Sequence, residues 1–148
     1  MALANLIKQE NIQVPLTAKT KTEAVCEMIG LLNKNGLIHD VKAVTDAVFE
    51  REALSSTGLG DGIAVPHAKT ESVQAPVLAI GISKEGIDFQ AHDGEPVYVI
   101  FLMIAPKSQP GQHIEALSEI AKMMQAPIVM KMLKKADTPQ DVIDVLSE

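Results

Sequence analysis

Nine consecutive apolar residues, Val97 to Ala105, constrain this chain more than any other feature. The run is less than half of the roughly 20 residues that a membrane-crossing helix requires. It also lacks the polar alternation of a strand with one wet face, so as a strand it must be covered on both sides. That cover has to come from amphipathic helices, and the sequence supplies them. Thr20-Lys-Thr-Glu23 has the form of a capping box ahead of Ala24, Met28, Leu31 and Leu32 at helical spacing, and Asn35-Gly36 ends the pattern. Asp40 is placed to cap a second helix, with Val41, Val44, Val48 and Phe49 as its stripe and Arg51 near its end.

Beyond a loop from Pro106 to Gly111, Ile114, Leu117, Ala121 and Met124 mark a third helical face. Ile128 to Lys135 continues helically after Pro127, and Thr138-Pro139 with Asp141 opens a last helix through Leu146. The remaining apolar runs are short and β-rich: Ile12 to Val14, Ile63 to Pro66, Val77 to Ser83, and Ile87 to Phe89 between turns at Lys84-Glu-Gly86 and His92-Asp-Gly94. Helices and strands interleave without strict βαβ order. The expectation is a single α/β domain over residues 1–148, with a mixed parallel/antiparallel sheet flanked by helices.

Composition narrows the function classes. At 148 residues the chain can bury a core without staples, and with only Phe49, Phe89, Phe101 and Tyr98 as aromatics that core is aliphatic. A net charge of −6 and the missing stacking platforms argue against a nucleic-acid partner. Cys26 is the only cysteine, which excludes an internal disulfide; mid-helix, it is expected to be a buried, inert thiol. The start, Met1 to Lys8, has neither the basic region nor the apolar stretch of a signal peptide, so the expected location is the cytoplasm, with no direct membrane insertion.

Gly58-x-Gly60-x-Gly62 invites a nucleotide-binding reading, but no Lys-Ser/Thr follows and the glycines lead into a strand, not a helix. The alternatives are a plain turn or a backbone concavity whose N–H groups face an anion. His67 follows this loop directly after Pro66, which fixes its own φ and stiffens the backbone that delivers the imidazole. A second histidine, His113, lies at the start of an amphipathic helix, where negative charge is favoured. An imidazole with one nitrogen held and the other free is a nucleophile near neutral pH, and surroundings that favour an anion make phosphoryl transfer the natural candidate. Arg51 can reach a phosphoryl group with its fork, or simply complement its helix dipole. Ser55, Ser56 and Thr57 are hydroxyl donors for the same anion, or turn residues. A zinc site is the rival for the histidines, but no metal-ligand spacing is present; His39 is read as a helix-junction residue and His92 as a turn residue.

These residues carry a resemblance. Arg51-Glu-x5-Gly58-x-Gly60-x-Gly62-Ile-Ala-Val-Pro66-His67-Ala-Lys-Thr70 is similar to the enzyme IIA domain of the fructose–mannitol branch of the bacterial sugar phosphotransferase system. The likeness continues through Ser83 to Asp88, Asp93-Gly-x-Pro96 and His113-Ile-Glu-Ala-Leu117. It implies that His67 accepts a phosphoryl group at Nε2 from the carrier protein HPr. His67 would then pass the group to a cysteine of a sugar-specific IIB domain, which serves a membrane IIC domain. It further implies that His113 stabilises the phosphoryl group, that Arg51 lies near the site, and that Thr57 occupies a hydroxyl position; no metal, nucleotide or other cofactor is required. A shallow site with an apolar rim is expected, with Leu59, Ile63 and Ile114 as candidates. Ala68-Lys-Thr70 looks more like the fructose type, whereas the nitrogen-regulatory relatives usually carry Gly at that alanine. The lack of IIB or IIC segments suggests a free-standing IIA protein or an excised domain. The other readings are a regulatory protein switched by phosphorylation of His67 and a histidine-dependent metal hydrolase.

Overall fold

A computed structural model of the chain describes residues 2–108 and 110–147. The nine-residue apolar run forms strand β6 (Val97–Ala105), and its side chains divide between two cores. Ile100, Leu102 and Ile104 belong to one cluster, and Val99, Phe101 and Met103 to the other. Alternation from Val99 to Ile104 with both faces covered suits a continuous apolar strand, and each buried aliphatic or aromatic side chain contributes roughly 1.5–3 kcal/mol. The first cluster is closed by α2 (Lys21–Lys34) and α3 (Val41–Leu54). The second is closed by α4 (Pro110–Met123), α5 (Pro127–Lys135) and α6 (Pro139–Leu146), with the short α1 (Ala2–Leu6) at its edge.

The sheet is mixed, in agreement with the sequence reading. β5 (Val77–Ile87) pairs antiparallel with β6, and β1 (Ile12–Gln13) runs parallel to β5. On the other side of β6 lie β3 (Ile63–Ala64) and β4 (His67–Lys69), both parallel to it, and β2 (Gly58–Gly60) pairs antiparallel with β3. β3 and β4 are in effect one strand interrupted at Val65-Pro66. Pro66 offers no N–H, its carbonyl accepts from the Met103 N–H at 3.0 Å, and the Val65 N–H turns away to Thr57 O at 3.0 Å.

Several local expectations are corrected. Lys84-Glu-Gly86 does not separate two strands: β5 runs on to Ile87 with an irregular register between Ile82 and Ile87, absorbed by Gly86 at φ 87°. Thr20 caps α2 by accepting the Glu23 N–H, but the Glu23 carboxylate reaches back to the Lys19 N–H and not to Thr20. The full capping box forms at Thr138 and Asp141. Cys26 is exposed, not buried, because the inward face of α2 is Ala24, Val25, Met28, Ile29 and Leu32. The inward face of α4 is His113, Ala116 and Ile120, so Ile114 and Ala121 point outward. Of the Pro106 to Gly111 loop, Gln109 lies outside the described residues, and α4 already starts at Pro110. Among the described residues no helix is long and apolar enough to cross a membrane.

Candidate active site

The interruption at Val65-Pro66 is what presents His67. Its Nδ1 lies 2.7 Å from the carbonyl oxygen of Val65. A carbonyl can only accept, so Nδ1 carries the proton and Nε2 keeps its lone pair. With Pro66 between donor and acceptor, the two-residue loop that holds the ring has little freedom. His67 is half-buried at one end of a cleft of about 710 Å³ lined also by Arg51, Leu54, Lys69 and Lys107.

His113, from α4, meets His67 edge to face, with ring centroids 5.2 Å apart and planes at 82°. It is 1% exposed, and neither ring nitrogen has a partner among the described residues. Both imidazoles are held neutral at pH 7. Burial lowers the His67 pKa, against the Val65 hydrogen bond that raises it, and the Arg51 charge lowers it further. His113 is pushed down to about 4, first by burial, then by His67, which carries charge once the pH is low enough to protonate it, and by the Lys69 charge. A neutral imidazole with a free Nε2 beside cationic side chains is suited to attack an electrophilic, anionic group.

Arg51 lines the cleft, and its Nη1 donates to the Ser55 carbonyl at 2.8 Å, closing the end of α3. It satisfies the helix terminus, and its charge acts on His67. Thr57 is 2% exposed, and its Oγ1 has no partner among the described residues. Ser56 is a turn residue whose hydroxyl donates to Phe89 O and accepts the Gly58 N–H. Ser55 supplies the carbonyl that Arg51 holds.

The glycine loop is not an open anion concavity. The Thr57 N–H donates to Glu52, the Gly58 N–H to Ser56, and the Asp61 N–H to Asp93. Its glycines answer to geometry. A Cβ on Gly58 would stand 2.8 Å from the Cα of Ala91, and Gly60 sits at φ 101°. Of the proposed rim, Leu59 and Ile114 are exposed, but Ile63 is 5% exposed and packs into the second core beside β6. Leu54, 83% exposed at the cleft, takes the rim place that sequence reasoning gave to Ile63. His39 lies just before the Asp40 cap of α3, with its N–H on Ser72 O, and His92 lies in an exposed turn; neither joins the site. Among the described residues no cluster of three or more metal-ligating side chains forms. A more apolar cavity of about 390 Å³ between α1, α4 and α6 contains no histidine and lies apart from this chemistry.

One buried charge beside the site was given no role by the sequence reading. Glu52, 7% exposed, accepts the Thr57 N–H with both carboxylate oxygens at 3.1 and 3.2 Å and pairs with Lys21 Nζ at 2.8 Å. The signal available was its position next to Arg51 and immediately ahead of the loop.

Known proteins share this arrangement of sequence and fold. Residues 5–148 match the family described as phosphoenolpyruvate-dependent sugar phosphotransferase system, EIIA 2. A fructose-specific EIIABC component from Bacillus subtilis is 35% identical over 148 residues, which is all of this chain and 23% of that protein. A fructose-specific EIIA component from Haloferax volcanii is 34% identical over 146 residues, 99% of this chain and 95% of the relative. Among solved structures, the nitrogen regulatory protein IIA-Ntr from Neisseria meningitidis superposes with a TM-score of 0.89 at 28% identity, covering 99% of each chain.

Proposed function

The chain belongs to the EIIA 2 family of phosphotransferase components of the phosphoenolpyruvate-dependent sugar phosphotransferase system, and from that premise we propose that His67 is its phosphoryl acceptor. Residues 1–148 form one such IIA domain, working in the cytoplasm without a cofactor. The lone pair of His67 Nε2 attacks phosphorus in the phosphohistidine of HPr. A new N–P bond forms as the HPr N–P bond breaks, and the HPr imidazole leaves with its electron pair. His67 keeps its Nδ1 proton on Val65 O throughout. In the second step a cysteine thiolate of a IIB domain attacks the same phosphorus, an S–P bond forms, and His67 is released neutral. Arg51 faces the charge on the phosphoryl oxygens, His113 donates to them, and Thr57 supports the loop beside them. The IIC domain is served only through IIB. Fructose is the sugar class favoured, because the 34% identical relative matching over nearly its whole length is fructose-specific and Ala68 follows the histidine.

The observation that carries this reading is the 2.7 Å hydrogen bond that fixes His67 Nδ1 and leaves Nε2 open. The test is incubation with phosphoenolpyruvate, enzyme I and HPr. One acid-labile, base-stable phosphoryl group is expected, absent from His67→Ala; phosphorylation of that variant would reject the assignment.

A second reading has its own support in the likeness to IIA-Ntr. Phosphorylation adds close to two negative charges, enough to remodel an interface formed by Leu54 at the cleft and Ile114 beside His113. Binding to a IIB domain and to regulatory partners, measured in both phosphorylation states, separates carrier from switch.

A further inference from the structure

The hydrogen bond that orients His67 is the last of a series. Lys21 Nζ pairs with Glu52 at 2.8 Å, and Glu52 accepts the Thr57 N–H at 3.1 and 3.2 Å. Thr57 O accepts the Val65 N–H at 3.0 Å, and Val65 O accepts His67 Nδ1–H at 2.7 Å. Every link joins a different element: α2, α3, the glycine loop, the break between β3 and β4, and the imidazole. The two charged members are shielded from water, with side chains 16% and 4% exposed, and Lys21 also lies 4.8 Å from the centre of the Phe89 ring.

We infer that Glu52, anchored by Lys21, is a positioning residue that holds His67 in the tautomer with a free Nε2; this rests on the reading of His67 as phosphoryl acceptor. The reason is geometric. The Val65 carbonyl faces the ring only while the Val65 N–H is held by Thr57 O. Thr57, in turn, lies just beyond the C-terminal end of α3, and its N–H finds its acceptor in a side chain. The Glu52 carboxylate supplies that partner twice over, as a charge-assisted acceptor of the stronger kind. Lys21 keeps the carboxylate in place where an unpaired buried charge would otherwise seek water.

The same carboxylate acts through its charge. The charges that act on His67 are Arg51 from α3, Lys69 from its own strand and Glu52: the two cations disfavour the imidazolium and Glu52 favours it, while Glu50 and Lys107 line the same cleft and His113 of α4 lies against the ring. Glu52 is thus the one anion of this set that supports the basicity of the attacking nitrogen.

The test reads the tautomer directly, by nitrogen NMR of the histidine rings in the unphosphorylated chain. Wild type is expected to show a single Nδ1–H form of His67. Glu52→Ala is expected to show a mixture of the two tautomers and at least a 10-fold slower phosphorylation by phospho-HPr, while its backbone amide spectrum remains that of the folded chain away from the loop. Glu52→Gln, whose side-chain oxygen still accepts the Thr57 N–H, is expected to restore the single tautomer. A Lys21→Met/Glu52→Leu chain, which keeps the volume and removes both charges, answers the same question should Glu52→Ala not fold. A single unchanged tautomer in either folded variant that lacks the acceptor overturns the proposal. The tautomer is read without any phosphoryl donor, so its outcome is independent of whether His67 proves to be the acceptor.

Discussion

His113 presents its ring to His67 edge to face at 5.2 Å, and neither of its own nitrogens bonds to a described protein group. A buried imidazole with both nitrogens idle is costly unless a ligand uses one of them. On the present reading that ligand is the phosphoryl group on His67. His113→Ala is therefore expected to accept phosphate from phospho-HPr at near wild-type extent but to pass it to IIB about 10²-fold more slowly. Rapid-quench measurement of the two half-reactions checks this, and equal onward rates would remove the role.

The same histidine sets an acid limb of stability. Its pKa is about 4 in the fold against 6.5 in the open chain, so between these values the unfolded state binds more protons. The contribution is complete above pH 6.5 and declines as pH falls towards 4, by on the order of 3 kcal/mol across the window. His113→Leu should flatten urea-unfolding stability over that range. Parallel curves for the two proteins would assign the limb to carboxylates instead.

Arg51 combines a helix-end contact with a charge at the cleft. Arg51→Ala should lower phosphoryl transfer by roughly 10²-fold, and Arg51→Lys should recover only part of it, because an ammonium cannot hold the Ser55 carbonyl and a phosphoryl oxygen as a planar fork does. Steady-state transfer rates at fixed ionic strength decide the point.

Gly58→Ala places a methyl group 2.8 Å from the Ala91 Cα, a backbone atom with little room to retreat. A loss of about 1–3 kcal/mol is expected, read from the urea midpoint, with a slower transfer rate because Thr57 and Val65 shift with the loop. An unchanged midpoint would show the loop to be more compliant than its packing indicates.

Leu54 is 83% exposed at the mouth of the cleft. Leu54→Asp should leave folding stability within about 0.5 kcal/mol yet weaken association with HPr or IIB by 10-fold or more, measured by calorimetry. Unaltered affinity would place the docking surface elsewhere.

The sheet's central strand was fully legible from sequence, because a strand buried on both faces advertises itself in consecutive apolar residues from Val97 to Ala105. Helix caps at Asp40 and Thr138 were legible for a similar reason, as the chemistry sits in adjacent residues. The face of α4 was misjudged where the usual preference is inverted: the polar His113 is buried and the apolar Ile114 beside it is exposed. Cys26 was misplaced because thiol burial is a tendency of the residue type, whereas the turn of α2 fixes the side it faces. The Pro-His pair drew attention to His67, while Glu52 stayed hidden. Its partners are a backbone N–H in a loop and a lysine on another helix, and no periodic pattern records such contacts.

The idle nitrogens of His113 bear on how a phosphoryl carrier is graded energetically. They have no partner among the described residues, and a buried group left so costs about 1–3 kcal/mol. A dianion on His67 removes that cost by accepting a proton-bearing nitrogen and raising its basicity. The relief lowers the free energy of the phosphorylated state, and every 1.4 kcal/mol shifts the partition between donor and acceptor tenfold. With His67 as the proposed acceptor, one buried imidazole would thereby adjust the group-transfer potential of the chain, setting how far downhill phosphate runs on arrival and how readily it leaves.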